Sequence, residues 1–172
     1  MKICWTKSAL PHPNLFCLDG DFMKSEELLI EADKIGIPVT EKPFKTFDGR
    51  VKGEKIYLRS GMSDVQKTCV LSEEIGHLCT GAGCIVEQQT TDDIKQERRA
   101  RIWAGNYLVG LSGLIDAFQN NCRNLYEMAE YLEVTEEFLL ETLKYYREKY
   151  GTGIKYKDYY IRFEPNLMIY RL

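Results

Sequence analysis

The stretch Leu71–Gly81, LSEEIGHLCTG, sets two glutamates, Glu73 and Glu74, just ahead of His77. The zinc-peptidase signature H-E-x-x-H puts two histidines at i and i+4 on one helical face with a glutamate beside the first. Here Glu73 stands at the first histidine's position. A catalytic zinc site needs three protein ligands, an open position for water and a carboxylate near that water. Glu73 and His77 could supply two ligands from one helix, Glu74 the general base, and Glu97 a third ligand from the next helix. On spacing alone a plainer reading stays open, with both carboxylates solvated on a helix face and His77 a favourable positive group near the helix C-terminus. Alternative donors are His12, which sits between prolines, in place of Glu73, and Glu87 in place of Glu97. Cys79 and Cys84 flank Gly81-Ala82-Gly83 next to His77 and could form a Cys/Cys/His set, though at an unusual spacing for zinc. Burial as small hydrophobes accounts for them more simply.

Positioning these residues takes helices, and the sequence marks where they begin. Ser63-Asp64-Val65-Gln66 has the form of a capping box, so a helix is predicted from near Ser63 to about Cys79, stopping at Gly81-Ala82-Gly83. It places Glu73 and His77 one turn apart on one face, with Glu74 rotated about 100° away. Leu71, Ile75 and Leu78 form the stripe that buries it. A second helix fits Asp92–Tyr107, acidic in its first turn. Upstream, Lys24–Ile35 reads as a helix capped by Ser25 and stopped by Gly36, followed by short extended segments (GIPVTEKPF, GRVKGEKIYLRSG) that predict a small antiparallel sheet. Downstream come a short piece, LSGLIDAFQNN, with Ser112 as candidate cap, and two amphipathic helices joined at Glu133-Val134-Thr135, with Thr135 as N-cap and Gly151 as stop. That pair has a helix-turn-helix outline. The tail, GIKYKDYYIRFEPNLMIYRL, predicts a hairpin turning at Lys157-Asp158 and a last strand beyond Pro165-Asn166. The order of elements predicts an α+β fold.

At 172 residues and 44% hydrophobic the chain can bury one good core. A net charge of -3 provides no global attraction to nucleic acid or anionic lipid. Residues 121–150 contain seven Glu against four Lys plus Arg, which argues against DNA binding by the helix pair, because phosphate contacts need cations. The N-terminal stretch has no uninterrupted apolar core, and no segment approaches the roughly 20 apolar residues of a membrane span. A soluble, cytoplasmic protein is expected. The six cysteines show no C-x-x-C pair and are expected to be reduced.

Taken together, the helix, the small sheet, TCVLSEEIGHLCTG, KQERRARIWA and YEMAEYLEVTEEFLLETL resemble the ImmA/IrrE family of zincin-like metallopeptidases, often carried by phages and integrative elements. The resemblance runs from about Lys24 to Tyr150. It implies a zincin-like core over residues 1–120, a helix-turn-helix-like subdomain over 121–150 and C-terminal strands over 151–172 packed on the core. The family's second helix carries its glutamate in an E-x-x-A-x-x-F/W-A setting, matched here by Glu97 through Ala104. By position, His77 and Glu97 are then metal ligands, Glu74 is the general base and Glu73 replaces the first histidine. Carboxylate oxygen binds zinc at about the distance of imidazole nitrogen, so Glu73 could ligate. Two carboxylates would cancel the charge of Zn²⁺ and lower its Lewis acidity, and oxygen donors would also suit Mn²⁺. The implied activity is cleavage of the helix-turn-helix repressor of a mobile element. The alternative is a pseudo-peptidase that has lost metal with its first histidine and acts as a protein-binding regulator.

Overall fold

Ser63, in extended conformation, accepts a hydrogen bond from the Gln66 amide at 3.2 Å, while the Gln66 side chain accepts from the Ser63 amide at 3.0 Å. The two bonds of the capping box satisfy amides that the first helical turn leaves free, and they start α2 (Asp64–Cys79), the helix bearing the motif. The structure, a computed structural model, describes residues 24–80 and 91–172, the side chains of 91–93 excepted. Gly81-Ala82-Gly83, His12, Cys84 and Glu87 lie outside the described residues. Within them α2 closes at Thr80, whose amide donates to the Gly76 carbonyl.

Helix α2 is the hub. It packs against α1 (Lys24–Lys34), against α3 (Thr91–Leu108) and against a three-stranded sheet of β1 (Val39–Lys42), β2 (Gly49–Lys52) and β3 (Lys55–Arg59). Ile56 and Leu58 alternate toward the core from β3 and are buried, as period-two patterning requires. The hairpin β2–β3 is antiparallel as expected, but β1 runs parallel to β3, pairing Val39 with Ile56 and Lys42 with Arg59. The sheet, ordered β1-β3-β2, is therefore mixed. The connection over 43–48 carries the chain past β3, so β1 and β2 flank the central strand without pairing.

Beyond α3 the chain turns at Gly110, whose φ of +60° suits glycine, into α4 (Gly110–Gln119). Ser112, the expected cap, lies inside α4, and the helix starts at Val109 with no side-chain cap. The following pair matches its predicted outline. Helix α5 (Leu125–Leu132) ends at Glu133 in left-handed conformation, Thr135 accepts from the Phe138 amide, and α6 (Glu136–Tyr150) stops at Gly151. The C-terminal sheet of β4 (Gly153–Tyr156), β5 (Tyr159–Arg162) and β6 (Met168–Arg171) is antiparallel throughout, with Tyr156 opposite Tyr159 across the Lys157-Asp158 turn. The α+β class follows. Cys69, Cys79 and Cys122 are free thiols.

One contiguous apolar cluster runs from Leu28 in α1 to Ile169 in β6. At its C-terminal end Phe163 is 1% exposed and lies against Tyr146 and Tyr150, with ring centroids 5.8 and 6.0 Å away. Because this core is continuous, Phe163→Ala should lower the stability of the whole chain by about 3–5 kcal/mol, the usual cost of deleting a buried ring. Denaturant unfolding followed by circular dichroism and tryptophan fluorescence should show a single transition at a lower midpoint. Two separated transitions would mean that the C-terminal strands fold independently.

Candidate active site

Glycine inside a helix costs about 1 kcal/mol relative to alanine, and Gly76 sits in α2 one residue before His77. Its position has a packing reason. A Cβ there would lie 2.6 Å from the Ala100 carbonyl oxygen of α3, so the two helices touch backbone to backbone. Ala100 itself is fully buried. The approach brings His77 Nε2 to 3.2 Å from Glu97 Oε2. The hydrogen bond that His77 donates to Glu97 raises the His77 pKa, and the same bond holds Glu97 below the usual carboxylate range. The other Glu97 oxygen, Oε1, receives Arg101 Nε at 2.9 Å, and Arg101 reaches Glu141 of α6 at 3.3 Å.

Glu74 leaves α2 toward the sheet, as its rotation from Glu73 predicts. Strand β2 comes so close that a Cβ on Gly49 would be 2.6 Å from Glu74 Oε1. The Val51 amide donates to the Glu74 carboxylate, but burial outweighs this and pushes its pKa up to about 7. Glu73 is raised to about 7 as well, again chiefly by burial, with Arg101 opposing. It lines a cleft between α3 and α6 and makes no hydrogen bond or ion pair among the described residues. Cys79 is pushed up to about 11 by burial, a thiol rather than a ready thiolate.

Of the four residues singled out by spacing, the structure thus joins His77 to Glu97 and sends Glu73 and Glu74 to either side. Sequence reasoning overlooked Gly76 and Ala100, which set the helix spacing, and Gly49 and Val51, which seat Glu74. Gly76 did carry a signal, being a glycine in mid-helix. Gly49 and Val51 carried none, because only the folded sheet brings them to α2.

Residues 32–144, well over half of the chain, match the IrrE N-terminal-like domain of the M78 peptidases. The chain belongs to this family. No curated protein and no solved structure matches it. M78 peptidases are zinc metallopeptidases as a family, so the donors of this member can be tested for fit. Among the described residues no three His, Cys, Asp or Glu side chains stand together as a metal ion would require. His77 Nε2, the atom a metal would take, donates to Glu97 in this arrangement. As arranged, the described residues of this M78 member do not fit a metal ion.

Two outcomes are expected. Gly76→Ala should push α2 from α3, because the obstructing atoms are backbone and cannot swing aside, at a cost of about 1–3 kcal/mol. In NMR titration the His77 pKa should fall back toward its ordinary value of about 6.5, and an unchanged His77 pKa would show that the close approach does not hold the pair. The second outcome concerns pH. Glu73, Glu74 and His77 all have folded pKa values raised above their unfolded ones, so their contribution to stability is present at low pH and lost as pH rises, through about 7 for the two glutamates. Glu97, held low, loses its contribution only in acid. The melting temperature in chelator should therefore fall from pH 5.5 to pH 8.5. Glu73→Gln and Glu74→Gln should each flatten the slope, and a melting temperature that is flat or rising in the wild type would contradict the assignment.

Proposed function

We propose that this M78 family member is a peptidase of ImmA/IrrE type whose substrate is a helix-turn-helix repressor of a phage or mobile element. The observation that carries the reading is the His77–Glu97 contact at 3.2 Å, made between the two helices that bear the motif stretches. Glu74 lies on the first of these helices in a partly desolvated seat. A carboxyl titrating near neutrality can take a proton from water and return one to a leaving amine, and this is the role proposed for it. Zn²⁺ is the cofactor implied by the resemblance, and Mn²⁺ the alternative that oxygen donors would suit. Holding either would require a donor from beyond the described residues, or Glu73 turned out of its cleft. A repressor substrate implies a cytoplasmic setting. Among the described residues no helix is long and apolar enough to cross a membrane, and the excess of Glu over Lys and Arg in residues 121–150 disfavours direct nucleic-acid binding by the helix pair.

A second reading, a catalytically impaired pseudo-peptidase that binds and regulates a partner, is favoured by one observation: among the described residues no three donors converge at the degenerate motif.

The test incubates the purified protein with a helix-turn-helix repressor encoded beside it, with Zn²⁺ or Mn²⁺ supplied. Peptidase activity predicts a discrete cleavage that falls at least ~100-fold in Glu74→Gln and in His77→Ala, the scale expected for loss of an acid–base group. Binding without cleavage, converted to cleavage by Glu73→His, would establish the pseudo-peptidase. Absence of cleavage in both the wild type and Glu73→His would sink the peptidase reading.

A further inference from the structure

Between α3 and α6 lies an open cleft of about 390 Å³. Its walls include the apolar faces of Ile102, Phe138 and Tyr145, and Glu73 reaches it from α2. Of the cations that line it, Arg101 is shared between Glu97 and Glu141 and Arg98 pairs with Glu148, while Lys144 of α6 makes no ion pair with Glu73 among the described residues. Glu73 alone of the cleft's glutamates has no hydrogen bond or ion pair among the described residues. A half-buried carboxylate that feels Arg101 at a distance but is directly bonded to no side chain among the described residues, at the end of an apolar-walled cleft, is complementary to a long cationic side chain. Its methylenes would lie along Ile102, Phe138 and Tyr145 while its charged head meets Glu73.

We propose that this cleft is a specificity pocket for an arginine or lysine side chain of the protein substrate, and that Glu73 is the group that reads its charge. The proposal rests on the peptidase reading for the identity of the substrate, but it gives Glu73 a role apart from metal binding. It also gives the helix pair a function, since α6 supplies one wall of the pocket through Phe138 and Tyr145.

The experiment measures binding of short capped peptides, Leu-Arg-Leu and its citrulline counterpart, to the full chain in chelator at pH 8 by calorimetry. Citrulline keeps the shape of arginine and removes its charge. The arginine peptide is expected to bind at least tenfold more tightly, and Glu73→Gln, with an unaltered circular dichroism spectrum, should bring the two within about twofold. Equal binding of both peptides, no binding of either, or discrimination kept in Glu73→Gln would overturn the proposal. Because chelator is present, the result is independent of catalysis. Charge discrimination without repressor cleavage under any metal would leave the pocket standing and remove the peptidase reading, whereas cleavage indifferent to basic residues would do the reverse.

Discussion

The backbones of α2 and α3 meet at Gly76 and Ala100, and the placement of the polar residues depends on that contact. Helices with larger residues at a crossing stand about 8–10 Å apart, and the absence of a side chain at position 76 lets these come closer. His77 and Glu97 can then share a hydrogen bond, Glu97 can anchor Arg101, and Arg101 can reach across to Glu141. The chain of contacts links three helices. At the other end of α3 the same device recurs, because a Cβ on Gly105 would lie 2.8 Å from Thr142 Oγ1 of α6. Helix α3 is thus clamped between α2 and α6 by two glycines, and the cleft near Glu73 is what remains open between them.

What the sequence disclosed was governed by locality. The capping box at Ser63 and Gln66, the Thr135 cap, the Gly151 stop and the Lys157-Asp158 turn each depend on residues within about four positions, and each appears in the structure where it was predicted. Ser112 misled because a serine ahead of an apolar run resembles a cap, whereas the left-handed Gly110 already reverses the chain two residues earlier. The parallel pairing of β1 with β3 was hidden for another reason. Strand direction is set by where a connection passes, and the residues of 43–48 do not encode that path locally.

The candidate site divides along the same line. Helical periodicity correctly put Glu73 and His77 on one face and Glu74 on another. Periodicity could not show that Glu74 is met by the Val51 amide and the backbone at Gly49, or that Glu73 has Glu141 of α6 as a neighbour. These contacts come from elements far apart in sequence. The pairing of His77 with Glu97 is a tertiary relation too: spacing offered Glu97 as one candidate beside Glu87, and the family resemblance selected it.

A carboxylate in place of the first histidine alters the electrostatics of the whole constellation. Arg101 acts on Glu73, Glu97 and Glu141, and His77 on Glu73, Glu74 and Glu97, so full ionisation would leave an excess of negative charge in a partly desolvated region. Instead the region holds protons. Burial raises Glu73 and Glu74 to about 7, and Glu97 keeps His77 charged to higher pH than usual. A positive charge arriving from outside would favour the ionised forms and displace those protons. With imidazole at position 73 the protonated form would add positive charge and the neutral form none, so the excess would be smaller. Glu73 therefore shifts this end of the cleft toward cations, and the apolar walls beside it favour a cation carried on a hydrocarbon stem over a fully hydrated one.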